Sequence, residues 1–250
     1  MSKLKSQDLK GIILAGGLGK RLEPLTRVTN KHLLPVWDKP MIYYPLYTLV
    51  EAGIRDIMIV TGGNNAGDFL RLLGNGQEFG LKSLHYAYQK GEGGIADALS
   101  YARDFVANNR SVIILGDNIL EKSIKKYVAH FLNQPRGARI LIKKVDNPQR
   151  FGVVELKNKK IISIEEKPSC PKSNYVVTGV YMYDEEVFDI IKTLKPSWRG
   201  ELEITDVNNA YLKKGCLEYD ILDGYWKDCG TFESLLKANN LVAHNYYRKR

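Results

Sequence analysis

Four short apolar runs recur through the first half of the chain, at residues 11–15, 56–61, 83–88 and 111–115. Runs of five or six residues rich in Ile, Val, Leu and Tyr predict strands. Between them, residues 41–52, 66–73 and 94–107 space their apolar positions at helical intervals, and Gly53 gives the first of these a left-handed stop. Near-continuous apolar strands alternating with helices predict a mostly parallel sheet covered on both faces. The second half reads differently, with shorter strands at 139–145, 152–156, 160–164 and 178–183 and close turns such as Lys157-Asn158-Lys159. That pattern predicts a mixed extension of the same sheet. No repeat or low-complexity linker divides the 250 residues. The expected fold is therefore α/β, a Rossmann-like doubly wound, mostly parallel or mixed sheet with helices on both faces. It forms one domain over 1–250 with two lobes, about 10–135 and about 136–240.

Ligands of such sheets sit beyond the carboxyl ends of the strands. There the first strand runs into Leu14-Ala15-Gly16-Gly17-Leu18-Gly19-Lys20-Arg21, with Lys31 ten residues on. Small residues let the backbone approach a ligand, free N–H groups bind anionic oxygens, and Lys20, Arg21 and Lys31 add full positive charge. The composition is that of a polyphosphate cradle. It is not a P-loop, because Gly17 and Leu18 follow Gly16 where Lys and Ser or Thr are required. Nor is it a dinucleotide fingerprint, because Leu22 stands where a third small residue is needed and no second strand ends in an acid about 20 residues on. Pro24 and Pro35 keep the stretch from forming one helix, so an irregular cationic loop is expected.

The run Gly16 to Leu22, with Pro24, Thr26, Lys31, Pro35, Val36, Lys39, Pro40 and Met41, resembles the signature of the sugar-phosphate nucleotidyltransferases. Further motifs follow in the same order. They are Tyr88-Gln89 with Gly93-Gly94-Ile95-Ala96, Leu115-Gly116-Asp117-Asn118, Phe151-Gly152-Val153, Glu165-Glu166-Lys167-Pro168, Val177-Thr178-Gly179, Gly200 to Asp206 and Trp226 to Thr231. Together they resemble the branch that acts on glucose 1-phosphate with a thymidine nucleotide, over about residues 10 to 240.

The resemblance implies Mg²⁺-dependent transfer between dTTP and α-D-glucose 1-phosphate, giving dTDP-glucose and pyrophosphate for deoxysugar supply to surface glycans. The first lobe would bind the nucleotide and the second the sugar phosphate. On the nucleotide side it implies Leu14, Ala15, Gly16, Gly17, Gly19, Arg21, Gln89, Gly94 and Asp117, with Gln89 and Gly94 reading the pyrimidine. On the sugar-phosphate side it implies Gly152, Glu166, Lys167, Thr178 and Arg199. Arg21, Lys31, Asp117, Lys167 and Asp228 would be catalytic, and Asp117 and Asp228 would hold the metal. Read alone, Asp117-Asn118 is equally a turn or helix cap and Glu165 to Pro168 a solvated strand end. Lys20, Phe151 and Asp97 depart from the residues common at their positions. The longer C-terminal helical extension of many relatives has no counterpart after residues 241–247.

The chemistry asks for no general base, because a sugar phosphate is already an anionic nucleophile. His32 beside Lys31 therefore reads as a packing or hydrogen-bonding residue. The formal charge of +9 comes from scattered residues with small clusters at Lys143-Lys144, Lys159-Lys160 and Arg248-Lys249-Arg250. Without aromatic interleaving this suits anionic small molecules and does not point to nucleic acid. No apolar run approaches the roughly 18 residues of a membrane helix, and residues 1–5 lead to no signal-peptide core. A cytoplasmic protein without membrane partners is expected, as a homo-oligomer, dimer or tetramer. Cys170, Cys216 and Cys229 are too widely spaced for a zinc pair, and Cys229 beside Asp228 reads as structural. The competing readings are the same chemistry with UTP, CTP or another hexose phosphate, a non-catalytic nucleotide-sugar sensor, and a dinucleotide oxidoreductase.

Overall fold

The computed structural model describes residues 8–63 and 65–248, so residues 1–5 and Lys249-Arg250 of the basic tail lie outside the described residues. β1 (Lys10–Ala15) occupies the middle of the sheet because both its faces are apolar. Ile13 and Ala15 enter one core, Ile12 and Leu14 the other. Residues alternate sides along a strand, so only a strand without polar positions can be buried on both faces. β4 (Asp56–Gly62) and β6 (Ser111–Leu115) flank β1 in parallel, and β5 (Ser83–Gln89) pairs parallel to β4. The first face is covered by α1 (Tyr43–Glu51), α2 (Ala66–Leu73) and α5 (Lys125–Asn133), which bury Leu46, Leu49, Phe69 and Phe131. The second is covered by α3 (Ile95–Ser100), α4 (Arg103–Val106), α6 (Val187–Thr193) and α7 (Ile204–Lys213), which bury Leu99, Val106, Ile191 and Tyr211.

The second half joins the same sheet through β11 (Tyr175–Tyr183), which runs antiparallel to β6. β8 (Ala138–Lys144) and β9 (Gly152–Lys157) pair with β11, and β10 (Lys160–Glu166) pairs with β9. The main order is β10-β9-β11-β6-β1-β4-β5, with β12 (Leu217–Ile221) parallel to β8. The fold is the expected mixed, mostly parallel α/β sheet, and one sheet runs through both halves. Two small ladders stand beside it. β2 (Pro35–Val36) pairs with β3 (Lys39–Pro40), and β7 (Asn118–Leu120) with β13 (Trp226–Asp228). α8 (Phe232–Arg248) closes a third apolar cluster around Val36, Met41, Ile119 and Cys229.

The stretch expected as one helix over 94–107 is two, α3 and α4, because Ala102 N–H bonds back to Leu99 in a tighter turn between them. β11 starts three residues before its expected first residue, since Tyr175 still pairs with Lys144. β7, β12 and β13 are strands that the sequence reading does not anticipate. After β1 the chain makes three single 3₁₀ turns, Lys20–Leu22, Leu25–Arg27 and Lys31–Leu33, in place of any continuous helix.

Candidate active site

Two cavities open at the carboxyl edge of the sheet, of about 290 and 380 Å³. The smaller is walled by Leu14, Gly16, Gly17, Lys31, Gln89 and Gly94, the larger by Arg21, Gly152, Glu166, Lys167, Thr205 and Asp228. Ile95, Leu115, Asp117, Arg199 and Glu201 belong to both. The two spaces therefore meet at the end of β6.

The glycine turn shapes the smaller cavity. Gly19 takes φ 70°, the left-handed region that glycine enters without strain, and its carbonyl accepts the Thr26 hydroxyl at 3.0 Å. That reversal brings Lys31 back over the turn. Asn30 caps the last 3₁₀ turn, accepting the His32 N–H at 2.9 Å and meeting the His32 Nδ1 at 2.7 Å. Burial lowers the His32 pKa to about 3, reinforced by the Lys31 charge. His32 is thus neutral at physiological pH and props the loop, as its sequence context suggests. Ala15 and Gly19 stand behind the wall and shape it without lining it; the Ala15 carbonyl accepts Asn30 Nδ2 at 3.3 Å.

Lys31 Nζ donates to Asp117 Oδ2 at 2.6 Å, and Asn118 Nδ2 to Asp117 Oδ1 at 2.9 Å. Burial alone would raise the Asp117 pKa, but the Lys31 ammonium and these hydrogen bonds outweigh it and hold the carboxyl well below the usual range. Asp228 arrives from more than a hundred residues away through the β7–β13 ladder, which pairs it with Asn118. The next N–H, of Cys229, bonds to the Asp117 carbonyl at 2.8 Å. Burial and then the Asp117 charge push the Asp228 pKa up. Among the described residues no hydrogen-bond donor reaches the Asp228 carboxylate, and Arg150 stands 3.8 Å away. Burial also pushes the Cys229 thiol up, which removes it as a nucleophile.

In the larger cavity, Glu166 Oε2 accepts the Thr205 hydroxyl at 2.5 Å and Lys167 lies 3.5 Å from Glu166 Oε1. Lys167 sits at the strand's end with φ 43°, its N–H donating to Phe151. Arg199 donates to Glu201 at 2.6 Å and to Glu203 at 3.2 Å, so its charge is already shared between two acids. Thr178 is the expected residue that turns away. It is buried, with its hydroxyl donating to the Leu141 carbonyl at 2.9 Å, while its neighbours Val177 and Gly179 line the cavity. Strand alternation explains the difference. All the other residues expected at the site lie on or directly behind the two walls.

Arg150, Asn118 and Trp226 are also at this site, and the sequence reading assigns none of them a role. Arg150 lines the larger cavity between Asp228 and Phe151. Its position directly before Phe151-Gly152-Val153 is the signal that could have found it. Asn118 Oδ1 accepts from Trp226 Nε1 at 2.5 Å and Gly179 N–H at 3.1 Å, binding three strands around Asp117.

The donor set suits a hard divalent ion. Among the described residues no three of His, Cys, Asp and Glu gather into one group. Mg²⁺ needs only one or two carboxylates and completes its shell with water and phosphate oxygens. Asp228, poorly compensated beside a second carboxylate, is where added positive charge relieves repulsion.

A family model described as nucleotidyl transferase matches residues 10–245. The glucose-1-phosphate thymidylyltransferase of Neisseria meningitidis serogroup A is 49% identical over 238 residues, covering 94% of this chain and 82% of that one. The enzyme of the same name from Mycolicibacterium smegmatis is 46% identical over 242 residues, covering 94% and 82%. A Bacillus anthracis crystal structure, provisionally named glucose-1-phosphate thymidylyltransferase and complexed with sucrose, is 57% identical. It superposes with a TM-score of 0.90 over 93% of this chain and 94% of that one.

Proposed function

Because this chain belongs to the nucleotidyl transferase family, we propose that it joins dTTP to α-D-glucose 1-phosphate, making dTDP-glucose and pyrophosphate. The observation that carries the proposal is that the Asp117 carboxylate, at the end of β6, walls both cavities, with Lys31 bonded to it at 2.6 Å. A nucleotide in the smaller cavity and a sugar phosphate in the larger would bring their phosphates together there. The names of the curated relatives supply the two substrates.

The sugar phosphate oxygen attacks the α-phosphorus and pyrophosphate departs from the opposite side. The nucleophile is already charged, so the chain's work is alignment and neutralisation. Backbone N–H groups at Gly16 and Gly17 hold the triphosphate from the smaller cavity, and Arg21 offers it positive charge from the larger. Lys31 neutralises charge at the α-phosphate, and Lys167 orients the attacking phosphate. Glu166 accepts sugar hydroxyls, its other oxygen being fixed by Thr205. Arg150 and Arg21 add positive charge at the Asp228 side of the larger cavity. Asp117 and Asp228 would hold Mg²⁺, which when bound supplies charge neutralisation to the phosphates. Nucleoside triphosphates and hexose phosphates are cytoplasmic metabolites, so the reading implies that compartment.

The test is pyrophosphate release in the presence of Mg²⁺ and glucose 1-phosphate, with dTTP, UTP and CTP assayed side by side. The proposal predicts turnover with dTTP as the preferred donor. A clear preference for CTP, or no sugar nucleotide from any of the three, contradicts it.

A further inference from the structure

At the back of the smaller cavity the hydrogen bonding of Gln89 is fixed from one side. Gln89, the last residue of β5, is 5% exposed. Its Nε2 donates to Asp97 Oδ2 at 2.7 Å and to the Gly94 carbonyl at 3.2 Å. A carboxylate and a carbonyl are acceptors only, so both amide hydrogens are already engaged within the protein. The carbonyl Oε1 is left over Gly16, close enough that a Cβ there would approach it to 2.5 Å. Among the described residues no donor reaches Oε1, and Gln89 and Gly16 both wall the cavity.

We propose that Asp97 is a specificity-determining positioning residue: it locks the Gln89 amide so that the cavity presents an acceptor, selecting a pyrimidine whose N3 carries hydrogen. Thymine and uracil carry that N3–H, whereas cytosine has a bare acceptor nitrogen at N3. Against cytosine two lone pairs would face each other in a buried place, and neither could be satisfied by water. The residue type at 97 matters as much as its position. A carboxylate can only accept, whereas an amide there could also donate to Gln89 Oε1 and let the amide turn over, exposing a donor instead. The inference rests on the proposed thymidylyl transfer and adds to it the group that sets the base edge.

The experiment measures binding of dTTP and dCTP by titration calorimetry, and turnover with glucose 1-phosphate and Mg²⁺, for the wild-type protein and Asp97→Asn. The wild type is expected to bind dTTP at least about 10-fold more tightly than dCTP, and Asp97→Asn to reduce that ratio by roughly 10-fold, mostly through lost dTTP affinity and dTTP KM. Asp97→Glu, which keeps an acceptor-only group, should restore part of the preference. A merely structural role for Asp97 weakens both nucleotides equally, and an unchanged dTTP to dCTP ratio in Asp97→Asn overturns the inference while leaving the transferase reading intact. Wild-type protein that binds dTTP selectively, loses the selectivity in Asp97→Asn and yet makes no sugar nucleotide contradicts the transferase reading and supports the base-edge inference.

Discussion

Asp117 and Asp228 face the same space under opposite electrostatic conditions, and their removal should therefore have opposite effects on stability. Asp117 is compensated by Lys31 and Asn118, so Asp117→Asn leaves the buried ammonium of Lys31 with a weaker partner and lowers the unfolding midpoint. Asp228 has its pKa raised by burial and by Asp117, which means that its ionised form opposes folding at neutral pH. Asp228→Asn should leave the ligand-free protein as stable as wild type or more so, and both variants should lose roughly 100-fold or more in turnover. Thermal melts without metal, set beside the turnover rates, check the pair; equal destabilisation in both would contradict the assignment of Asp228 to a functional position. Gly16 gives a second prediction. A methyl group at that position would meet Gln89 Oε1 at 2.5 Å, so Gly16→Ala should weaken nucleotide binding by about 10-fold or more while sparing glucose 1-phosphate. The cradle was legible in the sequence because its chemistry is local, with glycines, lysines and an arginine in one short run. The Thr178 side chain points away from the cavity: a motif gives a position, whereas the pleat of the strand decides which way the side chain points.

Two short pieces of chain, β7 and β13, create the site by joining residues that are distant in sequence. Each has three residues, too few for any hydrophobic period, which is why the sequence pattern could not reveal them. The proximity of Asp117 and Asp228 was accordingly available only through resemblance, whereas the long apolar runs of β1, β4 and β6 announced themselves. Asn118 is the tie between these elements. Asn118→Ala would leave the buried Trp226 Nε1–H and Gly179 N–H without their acceptor, at a cost of about 2 to 4 kcal/mol in urea unfolding. At the opposite edge of the sheet, Asp56 links three strands by accepting from Lys10 on β1 and Ser83 on β5. Burial raises its pKa, but those two bonds and the Lys10 charge prevail and hold it below the ordinary 3.8. A depressed folded-state pKa contributes stability above about 3.8, and that contribution is lost as pH falls through the lower folded value. Asp56→Asn should therefore be destabilising at pH 7, with the difference from wild type shrinking towards pH 3. A difference that stays constant across that range in urea midpoints would remove the ionic account.

At the scale of the molecule, one mixed sheet carries both cavities, with the parallel strands walling the smaller and the antiparallel extension the larger. β11 pairs with β6 as well as β8, so the end of β6, where Asp117 follows, belongs to both halves. The register shift in β11 between Val177 and Tyr181 lies beside Asn118, and Gly179 within it lines the larger cavity. The broad alternation of strands and helices made this architecture readable in the sequence, but the continuity of the sheet across the two halves of the chain depends on non-local pairing that no segment specifies alone. Among the described residues no helix is long and apolar enough to cross a membrane. The central claim is that cations and two carboxylates at the meeting point of the cavities let two repelling phosphates react. Phosphorus NMR of the purified protein with dTTP, glucose 1-phosphate and Mg²⁺ tests it most directly. The account predicts that dTDP-glucose and pyrophosphate signals grow together in wild type and stay absent in Asp117→Asn and Asp228→Asn. Product formation at near-wild-type rates in both variants would contradict it.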